Sequence, residues 1–131
     1  MRFYYSTIPH DPPRSFGDCF RACVATVLEV RSSLVPHFLD DPNIDWWVRM
    51  VDWCERIGLQ PITVPDDMSH AVTGYAVALG GRPEHGHAVV VKDGILVHDP
   101  DGRMQKVFDK WEAVCFVVSD VGKFVEWKRC S

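Results

Sequence analysis

Three residue types that together support nucleophilic acyl transfer are spread along this 131-residue chain. A cysteine, Cys19, lies in the segment Ser15-Phe16-Gly17-Asp18-Cys19-Phe20-Arg21-Ala22-Cys23, His87 opens one apolar run, and Asp99 follows another. A thiolate can attack a carbonyl carbon, an imidazole can carry the proton, and a carboxylate can fix the imidazole's tautomer and orientation. This chemistry requires that the fold bring the three side chains together.

Cys19 is predicted to lie in the first turn of a helix. Asp18 or Ser15 could cap the helix start, and Gly17 allows a sharp turn into it. The unpaired N–H groups and the helix dipole at such a position favour the thiolate form of Cys19, whereas Cys23 should be buried and inert. The plainer alternative, that Cys19 is a small apolar residue at a helix start, stays open without a partner base. The helix is indicated by apolar residues at helical spacing, namely Phe20, Cys23, Val24, Val27 and Leu28.

The partner base is predicted on a β-hairpin. Two β-rich runs, residues 86–91 and 95–98, are joined at Asp93-Gly94, a dipeptide typical of hairpin turns. Such a hairpin returns Asp99 to the level of His87, so a base and a carboxylate that orients it become neighbours on adjacent strands.

The register of this hairpin decides whether the carboxylate can serve the base. A two-residue turn over 93–94 would point Asp99 to the face opposite His87, because strand side chains alternate. A three-residue loop over 92–94, with a G1 bulge, pairs Val91 with Ile95 and sets His87 opposite Asp99. Both loops suit the sequence locally. The proposed chemistry favours the bulged loop, which also makes His98 a packing residue on the other face.

These motifs resemble papain-like cysteine peptidases: Asp18-Cys19 opening a buried helix, then His87-Ala88-Val89-Val90-Val91, then His98-Asp99-Pro100. The most similar branch is the compact bacterial one that includes the double-glycine leader peptidases of bacteriocin exporters. The chain is also similar to small proteins of phage and bacterial genomes that carry Gly-Asp-Cys-Phe-Arg-Ala-Cys, here residues 17–23, and a later His-Asp-Pro, here 98–100, and this similarity implies no known substrate. The resemblance spans roughly residues 15 to 119 in element order. It implies a papain-like fold with Cys19, His87 and Asp99 as catalytic residues.

One position departs from the leader-peptidase pattern. Those enzymes carry an oxyanion-hole glutamine six residues before the cysteine, where this chain has Pro13. The backbone N–H of Cys19, with Ser15 or Asp18 nearby, is the candidate replacement.

The surrounding sequence predicts a single α+β domain over 1–131, in which residues 1–14 form a packed N-terminal arm. N-terminal helices are expected to pack on a twisted, mostly antiparallel sheet that carries His87 and Asp99. A second helix is predicted from 43 or 45 to 57, strands at 59–64, 74–79 and 113–118, and short edge strands at 2–5 and 124–127. The buried face of the second helix is predicted to contain Ile44, Trp47, Val48, Val51 and Cys54.

Composition excludes several other functions. A net charge of −4 without a basic face argues against nucleic-acid binding. No apolar run approaches the roughly 18 residues of a membrane span, and the start of the sequence lacks a secretory h-region. Five cysteines, an odd number without framework spacing, favour a reducing compartment. We therefore expect a cytoplasmic protein that binds neither nucleic acid nor membrane.

The resulting prediction is a thiol hydrolase, a cysteine peptidase or isopeptidase with a peptide or protein substrate and no cofactor. A metal site formed by His85, His87, His98 and Asp99 is not predicted, because no C-x-x-C or H-x-x-x-H pair is present. Two alternatives use the same residues: transglutaminase-like or amidase acyl transfer, and a catalytically inactive papain-like binding module. An interaction protein directed at a host or partner protein is a further alternative.

Overall fold

The computed structural model describes residues 1–12, 14–82 and 85–131. Pro13, the departure from the leader-peptidase pattern, lies outside the described residues, as do the side chains of Arg82 and His85. In chain order the elements are α1 Cys19–Leu28, α2 Trp46–Arg56, β1 Leu59–Val64, β2 Tyr75–Arg82, β3 His85–Lys92, β4 Ile95–His98, β5 Glu112–Val118 and α3 Val121–Arg129. Short 3₁₀ turns at Ser32–Leu34 and Ser69–Ala71 join them.

The five strands form one antiparallel sheet in the order β1-β5-β2-β3-β4. Helix α1 packs on one face of it, over the buried side chains of Val77, Val90 and Val114. The connection between β4 and β5 covers part of the other face with Phe108 and Trp111. The predicted α+β class with an antiparallel sheet is therefore confirmed. Within the described residues, no helix has the length and apolar character needed to cross a membrane.

Helix α1 is the central buried helix, as its periodicity predicts. Cys23 and Val24 are fully buried on the stripe that faces the sheet, while Val27 is half-buried. The helix ends at Glu29, whose φ of 57° is left-handed. There the Nζ of Lys128 donates to the carbonyl oxygens of Leu28 at 2.6 Å and Glu29 at 3.2 Å, so α3 anchors the C-terminal end of α1.

The predicted buried face of α2 is confirmed at Cys54, which is buried, and at Trp47, which packs against the core, but it is wrong at its three other positions. Ile44, Val48 and Val51 are exposed, and the residues of this helix that are buried are Met50 and Cys54. The helix turns its aromatic side inward instead: Trp46 packs edge-on against Phe20, and Trp53 packs against Phe38 and Trp127. Indole rings bury more apolar area than valines, so the rotation that buries the tryptophans is preferred.

The two predicted edge strands are also wrong. Residues 2–5 form no strand but lie as part of an extended arm, in which the N–H of Tyr4 donates to Thr26 Oγ1 at 3.0 Å. Residues 124–127 lie within α3, which begins because Asp120 accepts a hydrogen bond from the N–H of Lys123 at 3.0 Å. A segment as short as Phe124-Val125-Glu126-Trp127 fits either period, and this cap selects the helix.

The hairpin turn contains two residues, so the predicted three-residue loop is wrong. Asp93 and Gly94 have φ values of 52° and 79°, as a type I′ turn requires, and Lys92 pairs with Ile95. Two hydrogen bonds to Gly74 stabilise the turn. The N–H of Asp93 donates to the carbonyl of Gly74 at 3.0 Å, and the N–H of Gly74 donates to the Asp93 carboxylate at 2.6 Å.

A bulge in β4 then corrects the register. Val91 pairs with Leu96, but the next pair is Val90 with His98, which leaves Val97 as an extra residue. Because side chains alternate along a strand, one extra residue returns Asp99 to the face of His87. The bulge that the chemistry requires is present, three residues beyond Gly94 rather than at it.

We predict that Lys128→Met lowers the free energy of unfolding by about 1–2 kcal/mol, because it removes two charge-assisted hydrogen bonds from the C-terminal end of α1. Urea unfolding measures this effect. Lys123→Met, at an exposed position of the same helix, is the matched control and should change stability little. Equal losses in the two variants would contradict the anchoring role.

Candidate active site

Cys19, His87 and Asp99 line one cleft of about 1280 Å³. Its walls are formed by the start of α1, the ends of β3 and β4, and arm residues 5–10. Residues of the α2 side, including Leu39 and Trp46, give it an apolar portion. The structure therefore brings the three sequence-predicted residues to a single concave surface.

The best-defined contact in the cleft joins His87 Nε2 to Asp99 Oδ1 at 2.7 Å. This confirms the expected hydrogen bond between the base and its carboxylate. Asp99 is buried and also accepts from the backbone N–H groups of Asp101, Arg103 and Met104 at 2.8–3.0 Å. The carboxylate is thus fixed by four donors, and it fixes the histidine ring in turn.

Burial by itself would raise the pKa of Asp99. The hydrogen bonds from the N–H of Asp101, the His87 ring and the N–H groups of Met104 and Arg103 outweigh burial and lower that pKa below its usual range. Asp99 is therefore ionised at neutral pH and accepts, rather than donates, toward His87.

Burial would lower the pKa of His87, but hydrogen bonds to the Cys19 and Asp99 side chains, together with their negative charges, raise it from 6.5 to about 9. The ring is therefore protonated at neutral pH. Since the folded-state pKa is raised, the contribution of His87 to the free energy of unfolding is complete below pH 6.5 and is lost as the pH rises through about 9.

Cys19 is the first residue of α1 and is half-buried. It lines the same cleft as His87, and its side chain is among the groups that raise the pKa of that ring. Among the described residues, no side chain caps the first turn of α1, so the backbone N–H groups beside the thiol are not engaged by a cap.

The structure does not bring Ser15 or Asp18, the candidate oxyanion-hole residues, into the cleft. Ser15 Oγ donates to the carbonyl of Pro9 at 2.6 Å, and Asp18 turns its carboxylate to the arm rather than to the helix. The expectation that either side chain caps α1 is wrong for the same reason. Within the described ranges, the cleft lining includes Cys19 but neither of these two.

Asp101 is a site residue that the sequence analysis missed. Its Oδ2 lies 3.6 Å from His87 Nδ1, so the imidazole has a carboxylate near each nitrogen. A signal was present in Asp99-Pro100-Asp101-Gly102, where a turn closed by Gly102 N and Asp99 O at 2.9 Å folds Asp101 back over the ring.

Of the residues considered for a metal, the side chain of His85 lies outside the described residues, and His98 does not join His87 and Asp99. His98 is buried elsewhere, between Phe3 and Tyr5, with its Nε2 bonded to the carbonyl of Tyr4 at 2.5 Å. One atom each of His87, Asp99 and Asp101 lie within 4.8 Å of one another. Within this cluster, His87 and Asp99 bond each other directly at 2.7 Å.

We predict that Cys19 is alkylated by iodoacetamide at neutral pH much faster than Cys23 or Cys54. Both of those are fully buried, and burial raises the pKa of Cys23 well above its usual value and that of Cys54 to about 12. Peptide mass spectrometry of partly alkylated folded protein gives the rates. Cys130→Ser removes the exposed thiol as a control, and comparable rates at Cys19, Cys23 and Cys54 would contradict the prediction.

A second prediction concerns the charge of His87. Its NMR titration should have a midpoint near pH 9, and Cys19→Ala or Asp99→Asn should each lower that midpoint, because each removes a negative neighbour. Cys130→Ser should leave it unchanged. An unchanged midpoint in Cys19→Ala would mean that the thiol and the imidazole are not coupled.

Comparison of the chain with protein-family models, with curated proteins and with solved structures gave no match. The papain-like resemblance therefore stays a prediction that depends on three short motifs. What supports a function for this chain is the chemistry of the cleft itself.

Proposed function

We propose that this chain is a thiol-dependent hydrolase, a cysteine peptidase or isopeptidase of papain-like type, in which Cys19 is the nucleophile. The observation that supports it is the hydrogen bond from His87 to a buried, four-fold hydrogen-bonded Asp99, beside a helix-start thiol in the same cleft. Buried carboxylate and imidazole pairs of this kind orient a general acid and base.

In the first half of the reaction, Cys19 Sγ attacks the carbonyl carbon of an amide and forms a C–S bond. His87, protonated at neutral pH by virtue of its raised pKa, gives its proton to the leaving nitrogen as the C–N bond breaks. The amine leaves and a thioester to Cys19 remains.

In the second half, neutral His87 takes a proton from a water molecule, whose oxygen attacks the thioester carbon. The C–S bond breaks, the carboxylic acid leaves, and the thiolate and imidazolium pair is restored. Asp99 holds the ring through both halves without changing its own protonation state. Backbone N–H groups of the first turn of α1, including that of Cys19, are the donors for the carbonyl oxygen when it becomes negative.

We predict that Cys19→Ala abolishes turnover of a panel of peptidyl aminocoumarin amides and leaves the fold intact, because Cys19 is a half-buried first-turn residue beside the cleft. His87→Gln should lower kcat by about 10²–10⁴-fold through loss of the general acid and base. Fluorescence gives the rates, and far-ultraviolet circular dichroism with a thermal melt gives the fold. His70→Gln, at an exposed histidine, is the matched control.

Three outcomes separate the alternatives. Turnover retained in Cys19→Ala would exclude the thiol as nucleophile. Faster consumption of the substrate when a primary amine is added, with an amide as product, would assign acyl transfer instead of hydrolysis. Absence of both turnover and a thioether adduct at Cys19 with a peptidyl vinyl sulfone would favour an inactive binding module.

A further inference from the structure

We propose that arm residues 4–8 form a strut that sets the position of Cys19 relative to His87 and Asp99, with Asp18 as the positioning residue that holds it. This inference rests on the proposed function, because it assumes that the relation of thiol to imidazole matters. The strut is defined by its hydrogen bonds, which reach the neighbours of Cys19 at one end and the neighbours of Asp99 at the other.

At the α1 end, Asp18 is 2% exposed and immediately precedes the nucleophile. Its Oδ1 accepts from the N–H groups of Thr7 and Ile8, and its Oδ2 accepts from the Thr7 hydroxyl, each at 2.9 Å. Three hydrogen bonds therefore tie residues 7 and 8 to the residue before Cys19.

At the β4 end, the same stretch bonds both residues that flank Asp99. The carbonyl of Tyr4 bonds the His98 ring at 2.5 Å, and the N–H of Ser6 donates to the carbonyl of Pro100 at 3.1 Å. The His98 ring is also stacked on Phe3, with centroids 4.8 Å apart. Residues 4–8 thus connect the two neighbours of Asp99 to the residue that precedes Cys19.

The side-chain choice of Asp18 points to a role beyond stability. An aspartate at a helix N-cap ordinarily accepts from the helix's own N–H groups, yet Asp18 makes no such bond. Burying a carboxylate is unfavourable unless it is hydrogen-bonded, and within the part of the chain that the structure describes the donors to Asp18 belong to the arm. In the described ranges, the first-turn N–H groups of α1 therefore carry no side-chain cap beside Cys19, while the arm is fixed as a wall of the cleft.

Asp18→Ala and Asp18→Asn test the strut in different ways. Alanine removes all three hydrogen bonds. Asparagine keeps an oxygen for the N–H groups of Thr7 and Ile8, and its amide can donate to the Thr7 hydroxyl, so it preserves the attachment without the charge. Asp120→Ala is the matched control, since it removes an aspartate that caps α3, away from the cleft.

Two readouts that do not require a substrate follow the position of the thiol: the rate of Cys19 alkylation and the NMR titration midpoint of His87. In Asp18→Ala we expect alkylation to slow on the order of 10- to 100-fold, the loss typical of a displacement near 1 Å, and the His87 midpoint to fall. Asp18→Asn should restore both. Asp120→Ala should lower the melting temperature but change neither.

The outcomes are distinguishable from those of the proposed function. If Asp18→Ala frees residues 4–8 in amide exchange but leaves both readouts at wild-type values, the strut is overturned. If Asp18→Asn behaves like Asp18→Ala, the charge and not the attachment is responsible, which also overturns it. Should Asp18→Ala fail to fold, Thr7→Val, which removes one hydrogen bond, must change both readouts in the same direction. Changes in both readouts without any hydrolysis by the wild type would support the strut and refute the hydrolase.

Discussion

The hydrogen bond between His87 and Asp99 is the contact on which the arrangement of the cleft depends. The two residues lie on neighbouring strands, and a change of one residue in the β3–β4 register would turn Asp99 to the opposite face. With the two-residue turn alone, Asp99 would point to the face opposite His87. The extra residue at Val97 turns Asp99 back to the face of His87. A bulge in the four-residue strand β4 is therefore what allows His87 to bond Asp99.

Two buried carboxylates, Asp18 and Asp99, then fix the geometry around the cleft. Each lies beside a break in regular structure, and each is saturated by donors that are distant or irregular rather than by a helix or strand. A buried carboxylate loses much stability if its donors are displaced, so both positions strongly favour one backbone arrangement. Since the arm bonds the neighbours of both, the thiol side and the base side of the cleft form one hydrogen-bonded unit.

Local patterns account for what the sequence could predict, and contacts distant in the sequence account for the rest. The helix at Cys19 and the hairpin that brings His87 to Asp99 follow from periodicity and from Asp93-Gly94, which are short-range signals. The place of the bulge was not predictable, because both loops suit residues 92–94 and the choice depends on Gly74, far away in the sequence. The face of α2 was missed because an apolar pattern treats valine and tryptophan alike.

Charge in the cleft gives a reason for the unusual direction of Asp18. Asp99 and Asp101 flank the ring of His87, so the site already holds two carboxylates beside one imidazolium. In the proposed reaction, a carbonyl oxygen that becomes negative during attack by Cys19 would be repelled by further negative charge and needs donors that carry none. The N–H groups at the start of α1 are such donors, with the positive end of the helix dipole behind them. Had Asp18 capped the helix, its carboxylate would occupy those N–H groups and add a third negative charge. Because the Asp18 carboxylate bonds the arm instead, it does not occupy the N–H groups at the start of α1. The same hydrogen bonds fix the arm, which forms a wall of the cleft.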